Sequence, residues 1–139
     1  MATERIFPDQ LGDWKRSSYC GEPRANAVGK ELTLFGWVRG RRDHGGVIFV
    51  DLRDRSGICQ IVFNPEVDAA AHEKAKQLRS EDVIAVRGNL SKRSLETINP
   101  DLPTGEVELM GKELRLLNAA QVPPFTVDDE TEANENTRL

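Results

Sequence analysis

The sequence predicts an all-β domain, a five-stranded Greek-key barrel with one helix between strands three and four. Three observations lead to it. Between residues 31 and 118, apolar side chains recur at every second position in short segments, the spacing that fills one face of a strand. Gly, Pro, Asn and Asp punctuate those segments as turns. One segment only, 64–78, carries its apolar residues at helical spacing.

The 139 residues suffice for one core of ordinary size. Residues 1–30 are polar and broken by Gly12, Gly21, Pro23 and Gly29, so they read as an N-terminal extension. "ELTLFGWV" sets Leu32, Leu34, Gly36 and Val38 against Thr33, Phe35 and Trp37 as strand one. The arginine-rich stretch after it reads as a long loop. "GGVIFVDLRD" and "ICQIVF" are strands two and three, joined by the tight turn "DRSG". Ile48, Val50, Leu52, Cys59, Ile61 and Phe63 form their core faces. A turn at Arg55 and Ser56 then pairs Asp54 with Gly57, Asp51 with Gln60, and Phe49 with Val62. In "NPEVDAAAHEKAKQL", Asn64 is the expected N-cap, Pro65 the first helical residue, and Val67, Ala71, Ala75 and Leu78 the inner face. "DVIAVRGNL" is strand four, "SKRSLETINPDLPTG" a second long loop, and "EVELMG" strand five, extended or echoed by "ELRLLN". This β-β-β-α-β-β order is the plan of an OB-fold barrel over residues 31–118. Residues 119–139 read as a linker.

Charge alone decides little. The formal net charge is -4, but the segment from Phe125 to Leu139 holds Asp128, Asp129, Glu130, Glu132 and Glu135 against Arg138 alone. Without that tail, acidic and basic residues are equal in number, and a neutral body with clustered arginines still attracts a polyanion locally. Cys20 and Cys59 lack the spacing of a metal site. No signal peptide and no apolar run of membrane-spanning length is present, so a soluble, cytoplasmic protein is expected.

In an OB-fold the face of strands two and three binds oligonucleotides or oligosaccharides. Alternation puts Val47, Phe49, Asp51 and Arg53 on that face from strand two, and Ile58, Gln60 and Val62 from strand three. Phe49 offers a ring for base stacking, and the diagonal Gln60 an amide for a base edge. Arg39, Arg41 and Arg42 enter from the preceding loop toward phosphate or base oxygens. On strand five, Val107 and Leu109 face inward and leave Glu106 and Glu108 outward, where a carboxylate suits the N–H groups of guanine. The bland alternatives are a Phe49 covered by the extension, and solvated charges elsewhere. A hydrolase built on Cys59, His44 or His72 finds no nucleophile, base and orienting acid assembled.

At this point the residues show a resemblance. "YCGEPR", "VGKELTLFGWVRGRRDHGGVIFVDLRDRSGICQIVFNP", "LRSEDVIAVRGNL", "NPDLPTGEVEL" and "LLNAAQVPPF" together resemble the N-terminal anticodon-binding domain of bacterial aspartyl-tRNA synthetases. The resemblance runs from about Tyr19 to Leu139. It implies that Phe49 stacks on the central anticodon uridine, that Gln60 hydrogen-bonds that base, that Arg42 contacts anticodon bases, and that Glu108 reads a guanine-type first base. Arg93 and Asn99, on the loop between strands four and five, approach the anticodon by the same resemblance. His44 stands where several relaxed family members, which also charge asparagine tRNA, carry histidine. The implied parent is a class II ligase that joins aspartate to tRNA with ATP and Mg2+ as a homodimer. The chain itself holds no catalytic domain and no cofactor site, and is expected to be a piece of that longer enzyme. A free-standing single-strand nucleic-acid-binding OB protein is the alternative.

Overall fold

The computed structural model describes residues 14–117. Strands β1 (Glu31–His44), β2 (Val47–Asp54), β3 (Gly57–Phe63), β4 (Val83–Lys92) and β5 (Val107–Leu117), with helix α1 (Ala69–Ala75) between β3 and β4, follow from the alternation. They close into a barrel in the order β1-β2-β3-β5-β4. Every pairing is antiparallel except β3 with β5. The inward set of β2 and β3 is the expected one, with Val50, Leu52, Cys59, Ile61 and Phe63 all fully buried. The β2–β3 register is also as expected, pairing Asp54 with Gly57, Asp51 with Gln60 and Phe49 with Val62.

Two local readings are corrected, and the open choice for strand five is decided. The long loop after strand one does not exist. β1 continues through the arginines to His44 and returns into β2 over Gly45 and Gly46, whose φ angles of 61° and 87° suit the tight hairpin turns that require left-handed residues. The helix cap is Asp68, not Asn64: Asp68 has an extended backbone and its side chain accepts from Ala71 N. Asn64 accepts from Glu66 N at 2.9 Å instead, a local turn that keeps residues 65–67 out of the helix, so Val67 is 44% exposed. Strand five is one strand, shifted in register by a bulge opposite Arg87 and Gly88.

Residues 14–30 pack onto the barrel. Ser17 N donates to Thr33 O at 3.0 Å, and Cys20 N donates to Asp54 Oδ2 at 2.9 Å. Trp14 joins Phe35, Ala85 and Leu117 in a cluster outside the barrel interior, which explains why Phe35 and Thr33, on the outer face of β1, are buried. Asp54 also accepts from Ser56 N and Ser56 Oγ. One buried carboxylate thus ties the N-terminal segment to the β2–β3 turn.

Candidate nucleic-acid interface

The face of the site is decided by one extra residue in β1. Trp37 pairs with Arg53 and Val38 with Leu52, but Gly40 pairs with Asp51, leaving Arg39 as the bulged residue. Unbroken alternation from the buried Val38 would send Arg41 outward and Arg42 inward. The bulge reverses the parity. Arg42 therefore stands beside Phe49 and His44 beside Val47, on the outer face, while Arg41 pairs with the inward Val50. Arg41 binds Asp43 at 3.3 Å and is not among the residues that line the site. Arg39 and Arg42 reach the site as strand residues, not loop residues.

On that face, four polar side chains form a chain of hydrogen bonds. Arg42 Nη1 donates to Asp51 Oδ2 at 3.0 Å, and Arg42 Nη2 donates to Gln60 Oε1 at 3.0 Å. Gln60 Nε2 donates to Glu108 Oε1 at 2.9 Å. The Arg42–Asp51 pair is 43% and 27% exposed, so its worth lies in geometry more than in stability. Gln60, by contrast, is 5% exposed. A guanidinium can only donate and an ionised carboxylate only accept, so the two neighbours fix which end of the Gln60 amide is oxygen. Gln60 retains one N–H and one lone pair beyond these bonds.

Phe49 is half-exposed. Arg42 lies 5.9 Å from its ring centre, and the His44 ring meets it edge-on at 6.0 Å and 71°. Ring, amide and guanidinium line an open groove of about 400 Å³, with Arg39, His44 and Asp51 on the strand side. The β4–β5 loop supplies the other wall through Arg93, Thr97 and Asn99. Arg93 is 7% exposed. It donates from Nε to Val107 O at 3.0 Å and from Nη1 to Thr97 O at 2.9 Å, so its main work is to hold the loop in shape. Burial lowers its pKa, opposed by the Glu108 charge. Asn99 Oδ1 accepts from Asp101 N, turning the same loop.

Glu108 touches the groove through Gln60. Burial pushes its pKa up, opposed by the Gln60 hydrogen bond and by the Arg93 charge. Cys59 is fully buried, and burial pushes its thiol up to about 12. It is a core residue, not a nucleophile. His72 meets Gly46 O through Nε2 at 2.7 Å, pinning the glycine turn to α1.

Residues 32–117 match the tRNA anticodon family, described as an OB-fold nucleic acid binding domain. The chain belongs to that family. An aspartate–tRNA(Asp/Asn) ligase of Oleidesulfovibrio alaskensis is 55% identical over 133 residues, covering 96% of this chain and 22% of that protein. The like-named ligase of Syntrophotalea carbinolica is 55% identical over 131 residues, with 94% and 22% covered. The chain thus spans about a fifth of the length of these relatives. Among solved structures, the asparaginyl-tRNA synthetase of Pyrococcus horikoshii complexed with asparaginyl-adenylate superposes with a TM-score of 0.62 at 29% identity, over 87% of this chain and 26% of that one.

Within this anticodon-type OB domain, Phe49, Gln60, Arg42, Arg39, His44, Arg93 and Asn99 all line one groove. The sequence reading missed Asp51 as the partner of Arg42, and missed Thr97. Its outward position on strand two was the available signal for Asp51.

Proposed function

We propose that this OB domain reads the anticodon loop of aspartate tRNA, and also of asparagine tRNA, as the N-terminal module of an aspartate–tRNA ligase. The observation that carries the reading is Gln60, held between donor-only Arg42 and acceptor-only Glu108 beside the open ring of Phe49. A base stacked on Phe49 presents its edge to the remaining N–H and lone pair of Gln60. Uracil offers a carbonyl and an N–H in the matching order. Cytosine offers the reverse, and would need the amide flipped against both neighbours.

Arg42 keeps further N–H groups for base or phosphate oxygens. The second oxygen of Glu108 is available to a guanine-type first base. Aspartate and asparagine tRNAs share their first two anticodon bases and differ in the third. A site that reads the first two accepts both, which agrees with relatives whose names carry both tRNAs. His44, edge-on to Phe49, is the residue assigned to that relaxed choice. Aminoacylation itself belongs to a class II catalytic domain of the whole enzyme, a cytoplasmic homodimer that uses ATP and Mg2+. No residue of this chain is assigned to those cofactors.

The test is binding of the chain to an anticodon stem-loop of aspartate tRNA and to a stem-loop of equal length with an unrelated loop sequence. A preference for the former supports anticodon reading. Equal affinity would leave general single-strand binding. For the relaxed choice, the whole enzyme is expected to charge asparagine tRNA, and His44→Leu to reduce that charging relative to aspartate tRNA.

A further inference from the structure

We propose that Arg39 and Arg53 form a phosphate-binding subsite that holds the RNA backbone beyond the base seated on Phe49. The inference rests on the proposed anticodon reading and extends it past the three bases. The groove at Phe49 does not end at Arg39. A second groove, lined by Arg53, Arg55 and Gly21 among others, shares Arg39, Ile58 and Leu102 with the first. The two form one continuous track.

Chemistry in the second groove differs from that in the first. No aromatic residue lines it, so it has no platform for a base. Its one carboxylate, Asp54, is 1% exposed and already accepts from Cys20 N, Ser56 N and Ser56 Oγ. Among the described residues, the Arg39 and Arg53 guanidinium groups have no ion pair or hydrogen bond, whereas Arg41, Arg42 and Arg87 are each paired with a carboxylate. Both are exposed. Unpaired guanidinium groups on one face, matched to the two oxygens of a phosphate, select the anionic backbone over a base edge.

The backbone of β1 and β2 sets their positions. Trp37 pairs with Arg53, so the bulged Arg39 lies just beyond Arg53's partner on the neighbouring strand. Arg53 follows Phe49 and Asp51 on the same face of β2, roughly 13 Å along the strand from Phe49. An RNA strand leaving the stacked base crosses that distance within a few nucleotides and meets the pair with its phosphates.

The salt dependence of binding tests this with the 139-residue chain and an aspartate anticodon stem-loop. Wild type, Arg39→Gln, Arg53→Gln and Arg53→Lys are titrated across a fourfold range of salt. Each Gln variant is expected to lower the slope of log affinity against log salt by about 0.7 to 0.9, a change of roughly 2.5- to 3.5-fold in salt response over that range. Preference for uridine over cytidine at the central position is expected to persist in both. Arg53→Lys keeps the charge and is expected to keep the wild-type slope, which a purely structural role for Arg53 would not produce. An unchanged slope in both Gln variants, while Phe49→Ala still weakens binding, overturns the subsite and leaves anticodon reading intact. Failure of the wild-type chain to prefer the anticodon loop overturns the proposed function first.

Discussion

Replacing Glu108 by Gln isolates the orienting role of one neighbour of Gln60. Glu108 Oε1 accepts from Gln60 Nε2 at 2.9 Å, and only an ionised carboxylate is bound to accept there. A glutamine at position 108 fills nearly the same space but can offer an N–H to a flipped Gln60, so the flipped amide loses its penalty at that end. Hydrogen bonds to charged groups contribute about 1.5–3 kcal/mol, and Glu108 is only half-buried, so the lower part of that range applies. Discrimination between central uridine and cytidine should fall by about 1–2 kcal/mol, roughly 5- to 30-fold, mainly through tighter binding of the cytidine loop. The assay is fluorescence anisotropy with two stem-loops differing in that base. Acid should imitate the substitution. Because burial raises the Glu108 pKa, the proton binds at a higher pH than on an ordinary carboxylate. Discrimination is then complete at neutral pH and declines as pH falls through that raised value. Glu108→Gln should show no such decline in the same window. A wild-type preference that is flat with pH, or a pH dependence unchanged in Glu108→Gln, would refute the orienting role.

Three other perturbations address different parts of the fold and site. Phe49→Ala should weaken stem-loop binding by about 1–3 kcal/mol with the melting temperature unchanged, since the ring is half-exposed; calorimetry and anisotropy on the same sample check both halves. Deleting Arg39 removes the extra residue but leaves Gly40 opposite Asp51, Arg42 beside Phe49 and His44 beside Val47, so base discrimination should survive with the far-ultraviolet circular dichroism of a folded barrel. Loss of discrimination in a folded variant would refute this pairing of the arginine stretch with β2. Asp54→Ala leaves the N–H groups of Cys20 and Ser56 without their buried acceptor and should destabilise the domain by about 2–3 kcal/mol, read from urea denaturation.

Much of this was legible in the sequence because apolar residues mark strand faces. In β2 and β3 the inward residues Ile48, Val50, Leu52, Cys59, Ile61 and Phe63 are all apolar, and the turn between the strands is short, so the pairing of Phe49 with Val62 and Asp51 with Gln60 follows from counting. The stretch from Arg39 to His44 carries no apolar marker. Its parity is set by an extra residue that shows only through pairing with β2, and that is why Arg41 and Arg42 were not told apart by alternation. Asn64 and Asp68 are equally good caps by residue type, and the choice went to Asp68 because Asn64 closes a local turn first. Trp14 and Cys20 lie in irregular chain with no period to follow, so their burial comes from the extension crossing β1. The polar chain from Asp51 to Glu108 joins residues far apart in sequence; their common face was foreseeable, their mutual bonds were not.

The account turns on whether the domain reads the central anticodon base through Gln60. The direct measurement compares the affinity of the wild-type chain, at neutral pH, for an aspartate anticodon stem-loop and for the same stem-loop with its central uridine changed to cytidine. The account predicts a preference for uridine of about 1–3 kcal/mol, roughly 5- to 150-fold. Equal affinity for the two would contradict it.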